Sequence, residues 1–371
     1  MSEYNVLYLV TEDSSGMRPY AATILKSVLN EKSWAVIVVR DEISRNSYSF
    51  LPQQNIIYVD YPKGKSSRFF WHFYPQKLVS EIKKVIKEHE IELVHALTPE
   101  ISLAYVKKHL FPAVKMLYTV HDAISHDVKY ESLLERFKGE ILVKIPNKIM
   151  VESAKYLVTN SKPQTEYLQS VFPEKTVFYT PFPTLVNDSI KGGNNVVDEL
   201  KNESDYILFF GNVNYYKGVH LLYNMYCKHK EAFGNRKLVI AGAGFDYYEP
   251  ISSNDVIRIN RYIDDSEIRY LFENASVVVY PYISATQSGV LSIATYFGKK
   301  ILLSKIPFFM AEAKKNSAVL FADVTNEDDF LQCLQELLNR ESDSFEIYKN
   351  VYNENSMKRS LKKVQSIVMR T

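Results

Sequence analysis

Residues 277–303 constrain the fold more than any other part of this sequence. A continuous β-branched run, VVVY, comes first, and a loop holding Ser288 and Gly289 follows it. An apolar helix then ends near Phe297, before a second apolar strand. Buried strands joined through a helix are typical of a βαβ unit in a parallel sheet. Gly289 falls where the loop becomes the helix, so the pattern predicts backbone N–H groups and a positive helix end facing an anion.

Length and composition bound the class of protein. A chain of 371 residues with 46% hydrophobic and 24% charged residues predicts a globular protein of two domains. The formal net charge of +2 lacks the basic excess typical of nucleic-acid binding, so no nucleic-acid partner is expected. Cys227 and Cys333 are the only cysteines, which favours a reducing compartment and excludes a cysteine-rich metal site.

The sequence also bears on localisation. The opening residues, MSEYNVLYLV, lack the cationic start of a signal peptide. No segment approaches the roughly 20 apolar residues that a membrane-spanning helix needs. We therefore expect a cytoplasmic protein, with at most a peripheral contact to the inner face of the cell membrane.

Strand and helix patterns alternate along the chain, which predicts parallel sheets covered on both faces. Strands are predicted at 5–10, 34–39, 56–59, 91–95, 116–120, 156–159, 206–210, 237–241, 256–260 and 277–280. Helices are predicted at 20–30, 78–89, 219–229, 265–274, 323–339 and 356–369. Pro181 and Pro183, followed by the polar segment 187–195 with its glycine pair, indicate an interdomain linker. The predicted architecture is α/β with two Rossmann-like domains, 1–185 and 186–355, followed by a C-terminal helix, 356–371, that crosses back to the first domain.

Ligands of open parallel sheets bind beyond the carboxyl ends of the strands, so residues just after strands are the site candidates. Gly16 follows the first strand, as a phosphate-approaching glycine or a plain turn residue. His121 follows another strand, beside Asp122, which would fix its tautomer; many such histidines are structural. Lys217 lies in the loop GNVNYYKGV and suits a diphosphate, unless it is an ordinary surface lysine. The 281–289 loop is the fourth candidate, with AGAG at 241–244 as a companion.

Four motifs in the second half together resemble a known family. They are FFGNVNYYKGVHLL, LVIAGAG, SEIRYLFENASVVVYPY and SGVLSIATYFGKKILLS. In this order and spacing they resemble the retaining glycosyltransferases of family 4, also called group 1. YTVHD and the segment around TNSK extend the resemblance into the first half. It implies the GT-B fold, in which two Rossmann-like domains have parallel sheets facing a central cleft.

The resemblance also implies roles for individual residues. Lys217 would neutralise the diphosphate of a nucleotide-sugar, while Asn212 stands where the family has a second cation, an arginine. Gly16, Ser288, Gly289 and Val290 would complete the diphosphate site. His121, with Lys217, would be catalytic, by contacting the donor sugar or supporting its leaving group. The backbone at Tyr262 and Ile263 would hold the nucleobase.

The sequence departs from the family at its two glutamates, which are separated by seven residues. Counting without gaps from Pro281 to Gly298 places them on Ala285 and Ile293. Thr286 and Gln287 are the nearest polar substitutes in the donor sugar or ribose vicinity. Losing a charge-assisted hydrogen bond costs roughly 1.5–3 kcal/mol of binding, which would weaken a transferase without abolishing it.

The expected activity is a hexosyltransferase-type reaction (EC 2.4) from a nucleoside diphosphate sugar to a glycan or lipid-linked acceptor. Retention of configuration and a role in bacterial exopolysaccharide, capsule or lipopolysaccharide biosynthesis are implied by the resemblance alone. No Asp-x-Asp pair follows a strand, so neither a metal nor another cofactor is expected. The basic and aromatic segment 63–77 suggests either membrane contact or core packing. Two alternatives stay open, namely a catalytically silent GT-B binding module and another GT-B enzyme such as a nucleotide-sugar epimerase.

Overall fold

A computed structural model describes residues 4–12, 16–107, 114–123, 133–249, 254–313, 316–341 and 343–371. These residues divide into two compact units. The first unit holds the described residues up to Pro183 together with Glu354–Thr371, and the second holds those of Thr184–Asn353. None of the described helices is long and apolar enough to cross a membrane.

The first unit is built on a parallel sheet that has seven strands in the described part of the chain. They are β1 Val6–Val10, β2 Ser33–Val39, β3 Ile56–Asp60, β4 Leu93–Ala96, β5 Lys115–Thr119, β6 Tyr156–Thr159 and β7 Thr176–Tyr179. Their spatial order is β3-β2-β1-β4-β5-β6-β7, so the winding reverses between β1 and β4. The α-helices are Met17–Val28, Glu42–Asn46, Lys65–Trp71, Gln76–Glu88, Leu133–Gly139, Ile145–Ser153, Lys162–Val171 and Glu354–Arg370, and the π-helical turn Glu140–Lys144 joins two of them.

The second unit repeats this plan with six parallel strands among its described residues. They are β8 Tyr206–Phe210, β9 Leu238–Ala241, β10 Val256–Ile259, β11 Ala275–Tyr280, β12 Lys300–Ser304 and β13 Val319–Ala322. The order β10-β9-β8-β11-β12-β13 reverses between β8 and β11. The α-helices are Asp188–Gly192, Val219–Lys228, Asp265–Glu273, Val290–Tyr296, Pro307–Glu312, Glu327–Leu338 and Phe345–Val351.

The central strands are buried on both faces, which is why continuous apolar runs identify them. All five residues of β8, YILFF, are buried, and so are the last four of β11. The two strands pair directly, with Val277 opposite Ile207 and Val278 opposite Leu208. Helices on both faces of a parallel sheet remove its side chains from water. The predicted α/β class with two Rossmann-like domains is confirmed.

The interpretation of 187–195 as a linker is wrong. The segment contains the helix Asp188–Gly192, and the Asn187 side chain caps it by accepting a hydrogen bond of 2.9 Å from the Ile190 N–H. Ile190 is buried in the apolar core of the second unit. The polar residues and the glycine pair suggested a loop. A side-chain cap and one buried apolar residue instead anchor this short helix to its unit.

The last helix is bound tightly within the first unit. Gln365 donates a hydrogen bond of 2.9 Å to the hydroxyl of Tyr8 on β1. Lys115 on β5 donates to the carbonyls of Val368 and Met369, at 3.1 and 2.8 Å. A lysine at these free carbonyls also complements the negative end of the helix dipole. The C-terminal segment therefore completes the core of the first unit.

Candidate functional site

In each sheet the winding reverses at one point, and the loops beyond it are the natural ligand site. In the second unit that point lies between β8 and β11. The loop after β8 carries Gly211 and Lys217, and the loop after β11 carries Pro281 and Ser288. The strongest sequence candidates of this unit therefore share one edge of one sheet.

Backbone contacts hold these two loops together. The Ile283 N–H donates to the Tyr216 carbonyl at 2.7 Å. Gly218 has a φ of +66°, and a Cβ atom there would overlap the carbonyl oxygen of Pro281. Only glycine combines this left-handed conformation with so close a backbone approach. The position of Lys217, next to Gly218, is thus fixed by main-chain packing.

A third loop, after β9, joins them. The Val213 N–H donates to the Ala243 carbonyl at 2.8 Å. Gly242 has a φ of +139°, and a Cβ atom there would overlap the Gly211 carbonyl. The Gly244 N–H donates to Asn260 Oδ1 at 3.1 Å, which extends the contact to the end of β10. The AGAG segment therefore acts as a close-packed support for the loop that carries Lys217.

Lys217 is the residue of this edge that best indicates what the site binds. Its Nζ lies 5.6 Å from the centre of the Tyr282 ring. A Cβ atom on Gly211 would lie 3.4 Å from that Nζ and 3.6 Å from Val290, so the ammonium and the start of helix Val290–Tyr296 are neighbours. Among the described residues, no carboxylate forms an ion pair with Lys217. Burial lowers the pKa of Lys217 to about 8. The site therefore holds a cation that no described carboxylate balances, which suits the binding of an anion.

The 281–290 loop is partly as expected. Ser288, Gly289 and Val290 are partly buried near this edge. Gly289 has φ −78° and ψ −20°, which any residue can adopt, and it precedes a helix of only seven residues. The backbone of Gly289 therefore does not require a glycine. The helix that follows is too short to have a long helix dipole.

The positions that replace the family's two glutamates differ from each other. Ala285, Thr286 and Gln287 are partly buried in the loop. Ile293 is 3% exposed and lies in the apolar core of the unit. It offers no polar group to a sugar or a ribose, so its proposed vicinity to them rests on the residue count alone.

The remaining candidates of this unit lie beside the same loops. Asn212 is exposed, directly after Gly211. Tyr262 is 52% exposed, whereas Ile263 is buried in the core. Arg261 donates to the Tyr262 carbonyl at 3.2 Å and forms ion pairs with Glu199 and Glu267. The segment after β10 is thus a rigid turn, with its tyrosine available at the surface.

In the first unit, His121 is buried after β5. Its Nε2 lies 2.8 Å from the Leu97 carbonyl, and its ring meets the Tyr20 ring edge to face, with centroids 4.8 Å apart. A carbonyl only accepts hydrogen bonds, so Nε2 carries the proton in this contact. The Leu97 carbonyl therefore holds the Nε2 proton, and the predicted role of Asp122 in fixing the tautomer stays a prediction.

Gly16 stands immediately before helix Met17–Val28. It has φ −85° and ψ −37°, and a Cβ atom there would meet nothing within 4 Å. The fold alone does not require glycine at this position. Residues 13–15 of the same segment lie outside the described residues.

Glu100, which was not predicted as a site residue, is a fully buried carboxyl group at the point where the first sheet reverses. Thr11 Oγ1, just after β1, donates to Glu100 Oε2 at 2.8 Å. Thr98 Oγ1, just after β4, accepts from the Thr11 N–H at 3.0 Å. Burial, with a smaller contribution from Glu12, raises the pKa of Glu100 to about 8. The strand-end rule applied to ELVHALTPE would have found this residue.

The raised pKa of Glu100 predicts a pH-dependent stability. The folded protein holds this proton up to about pH 8, whereas an unfolded chain releases it near 4.5, so stability falls as the pH rises between these values. Glu100→Gln removes the titrating group, and we expect it to raise the melting temperature at pH 8 more than at pH 5. Glu88→Gln, at an exposed helix position, is the control. An equal shift of both variants at both pH values would contradict the assignment.

Fold and site together define a class. Two α/β units of Rossmann-like topology, each with its loops beyond a reversal point, constitute the GT-B fold. Within this class, residues 194–356 match the model of the family described as Glycosyl transferases group 1. The match covers most of the second unit and less than half of the chain. No curated protein sequence matches the chain significantly.

Solved structures similar to the chain span its whole length. Alr3699/HepE of Anabaena, in complex with UDP and glucose, has a TM-score of 0.69 at 13% identity, covering 98% of this chain and 100% of that chain. Sucrose-phosphate synthase from Thermosynechococcus elongatus also has a TM-score of 0.69 at 13% identity, with 99% of each chain covered. An α,α-trehalose-phosphate synthase (UDP-forming) from Burkholderia vietnamiensis has a TM-score of 0.64 at 10% identity, with 98% and 99% covered. At these identities the likeness establishes the fold.

Proposed function

We propose that this protein is a glycosyltransferase that moves a sugar from a nucleoside diphosphate to a hydroxyl group of a glycan or lipid-linked acceptor. The observation that carries the proposal is Lys217, a partly buried cation with no carboxylate partner among the described residues, held at the reversal point of the second sheet. A diphosphate leaving group is the anion that such a site suits. The family match over residues 194–356 and the UDP complexes of Alr3699/HepE support this choice.

The chemistry follows from the residues near Lys217. As the bond between the sugar and the diphosphate breaks, charge builds up on the phosphate oxygens, and the Lys217 ammonium stabilises it. Asn212, Ser288, Gly289 and Val290 would supply further contacts to the diphosphate, with Gly16 from the first unit. The backbone at Tyr262 and Ile263 would hold the base. These assignments, and a reaction without metal or other cofactor, are proposals.

The first unit is proposed to receive the acceptor. His121, whose Nε2 lies 2.8 Å from the Leu97 carbonyl, would contact the donor sugar or support its leaving group. Retention of configuration, transfer of a hexose (EC 2.4) and a place in bacterial polysaccharide biosynthesis rest on the resemblance to family 4. A cytoplasmic location belongs to the same proposal.

A catalytically silent GT-B module is the second candidate, because Ala285 and Ile293 provide no carboxylate and Ile293 is buried in the core. Such a module would bind a partner or a glycan without turnover, so binding of a nucleotide and turnover must be measured separately.

The experiment is a thermal-shift panel of UDP, GDP, ADP, CDP and TDP, each with EDTA, followed by assay of diphosphate release from the matching nucleotide-sugars. We expect one nucleoside diphosphate to stabilise the protein, and we expect the protein to release that diphosphate from the matching nucleotide-sugar. Binding without release of diphosphate would support the silent module. The absence of any stabilisation would contradict the whole proposal.

We further propose that one face of the first unit rests on an anionic membrane. Helix Lys65–Trp71 buries Trp71, but Phe69 and Phe70 are exposed, beside Arg68. The rings of Phe73 and Tyr105 stack at 5.3 Å, and the Tyr105 hydroxyl donates to the Ile141 carbonyl at 3.3 Å. This contact brings in a second segment with apolar and basic side chains at its surface, namely Phe137, Lys138, Val143, Lys144, Ile145 and Lys148. Exposed aromatic and basic side chains on one face suit an anionic lipid surface.

Vesicle flotation tests this surface. We expect the protein to float with vesicles of phosphatidylcholine and phosphatidylglycerol, but not with phosphatidylcholine alone, and to be released by salt. A double change of Phe69→Ser and Phe70→Ser should reduce binding about tenfold or more, given the apolar area lost. Phe50→Ser, at an exposed aromatic in another segment, should bind as the wild type does. Flotation that is unchanged by the double variant would place the contact elsewhere.

A further inference from the structure

Tyr282 is a buried residue whose hydroxyl group is not explained by the fold. It follows β11 and is 1% exposed. Its ring packs against Tyr280 and Phe309, with centroids 5.8 and 5.2 Å away, and lies beneath the Lys217 ammonium. The hydroxyl is buried and forms no hydrogen bond of ordinary length and angle with the residues that the structure describes. The Ser288 side chain is close enough to interact with it, but not in that geometry.

Other buried tyrosines in this core direct their hydroxyls to backbone carbonyls. Tyr280 donates to Val290 at 3.2 Å, Tyr206 to Leu271 at 2.6 Å, and Tyr226 to Arg236 at 2.9 Å. A buried hydroxyl without a partner destabilises the folded protein, so each such group in a native fold calls for a reason. Burial raises the pKa of the Tyr282 hydroxyl, which therefore stays protonated and can donate. Among the described residues, the Tyr282 hydroxyl thus lacks a well-formed hydrogen bond at the same place where Lys217 lacks a carboxylate partner.

Ser288 is placed to connect the Tyr282 hydroxyl with a ligand bound at Lys217. Tyr282 is too deeply buried to meet a ligand, whereas Ser288 is only partly buried, at the surface of the same loop. A serine hydroxyl can accept one hydrogen bond while it donates another. If a ligand oxygen accepted a hydrogen bond from the Ser288 hydroxyl on the solvent side, the hydroxyl could rotate. Its oxygen could then accept a hydrogen bond from the buried Tyr282 hydroxyl.

We propose that Tyr282 is a positioning residue of the diphosphate site, donating a hydrogen bond to Ser288 Oγ so that the Ser288 hydroxyl donates to a phosphate oxygen held by Lys217. This inference rests on the proposed function and adds a residue to its site. The phosphate oxygen accepts a hydrogen bond from the Ser288 hydroxyl, and Ser288 Oγ in turn accepts a hydrogen bond from the Tyr282 hydroxyl. No bond to the sugar is involved, so the effect is on binding of the diphosphate.

A double-mutant cycle on the full-length protein tests the inference. The probe is the nucleoside diphosphate that stabilises the wild type, with its nucleoside as comparison, and the dissociation constants are measured by calorimetry. Ser288→Ala removes a hydrogen bond to a charged group and should weaken diphosphate binding about ten- to a hundredfold. Tyr282→Phe should weaken it about three- to tenfold when Ser288 is present, and not at all in the Ser288→Ala background. Nucleoside binding should not change in any variant.

Stability provides a separate measurement. Tyr282→Phe removes a hydroxyl that lacks a well-formed hydrogen bond, so its melting temperature should equal or exceed that of the wild type. Tyr206→Phe is the matched control, since it removes a hydroxyl bonded to the Leu271 carbonyl; it should lower the melting temperature and leave binding unchanged.

The outcomes are distinguishable. Equal diphosphate binding by wild type and Tyr282→Phe overturns this inference alone, and so do effects of Tyr282→Phe and Ser288→Ala that simply add. A wild-type protein that binds no nucleoside diphosphate overturns the proposed function and this inference with it.

Discussion

Replacing Lys217 with methionine (Lys217→Met) is expected to abolish diphosphate binding and, at the same time, to make the free protein more stable. Burial lowers the pKa of Lys217 from 10.5 to about 8, which means that the folded protein disfavours its charge. At pH 7 the penalty is fully present, and it vanishes as the pH rises from 8 towards 10.5. Methionine keeps the length and the apolar stem, so it should recover on the order of 1–3 kcal/mol of unfolding free energy.

The loss of binding should be larger. Truncating one partner of a buried charge pair weakens a complex by about thirtyfold or more, because the remaining charge is left without compensation. The pH profile provides an independent sign, since binding to the wild type should weaken above about pH 8, where the free lysine loses its proton. In Lys217→Met this dependence should disappear.

Lys228→Met is the matched control. Lys228 ends the helix Val219–Lys228 in the same unit, is largely exposed, and pairs with Glu327. Exposed ion pairs contribute little, so its melting temperature and its binding should stay close to those of the wild type. If Lys217→Met instead melted at a lower temperature and bound the diphosphate normally, the lysine would be a structural residue and the proposed function would lose its main support.

The sequence predicted the central strands well because each is buried on both faces. Such strands leave a continuous apolar run, as in YILFF of β8 and VVVY of β11. It missed β7 and β13, which are edge strands of four residues. Only one of the four residues of β7, Val177, is fully buried, so its apolar pattern is weak. Short strands at a sheet edge are set by pairing with a neighbour, which local sequence does not show.

The candidate site was predictable where backbone topology determines it. The rule that ligands lie beyond strand ends led to Lys217 and to the 281–289 loop, and the structure places both at one reversal point. Tyr282 was missed because its significance depends on burial and on contacts with residues distant in sequence, whereas the strand-end rule applied to the residues after β4 would have found Glu100. A Pro-Tyr pair at the end of an apolar strand resembles ordinary core. That Ile293 lies in the core was likewise not visible from the residue count.

Replacing Gly218 with alanine (Gly218→Ala) is expected to be the most damaging single change in the second unit. A Cβ atom at this position would overlap the Pro281 carbonyl oxygen, and the backbone φ of +66° is itself unfavourable for alanine. The left-handed conformation costs roughly 1–2 kcal/mol and overpacking a further 1–3 kcal/mol. Because the obstacle is backbone, no side-chain rotation relieves it, and the two loops must separate.

The separation should be visible in two measurements. Circular dichroism should show a lower melting temperature for Gly218→Ala, and calorimetry at 10 °C, where the variant remains folded, should show loss of diphosphate binding. Gly242→Ala should resemble it, because a Cβ atom there would overlap the Gly211 carbonyl of the same group of loops. Both changes act on main-chain packing and leave the Lys217 side chain intact.

Gly192→Ala is the control for a glycine-to-alanine change at a site without steric conflict. It lies in the same unit at the end of helix Asp188–Gly192, and a Cβ atom there would meet nothing within 4 Å. It should therefore melt within a degree or two of the wild type and bind the diphosphate normally. If Gly218→Ala behaved like Gly192→Ala, the contact between the Lys217 loop and Pro281 would not be what holds the ammonium in place. The contact with the Tyr282 ring would then be what positions the Lys217 side chain. In that case Tyr282→Leu should weaken diphosphate binding more than Gly218→Ala does.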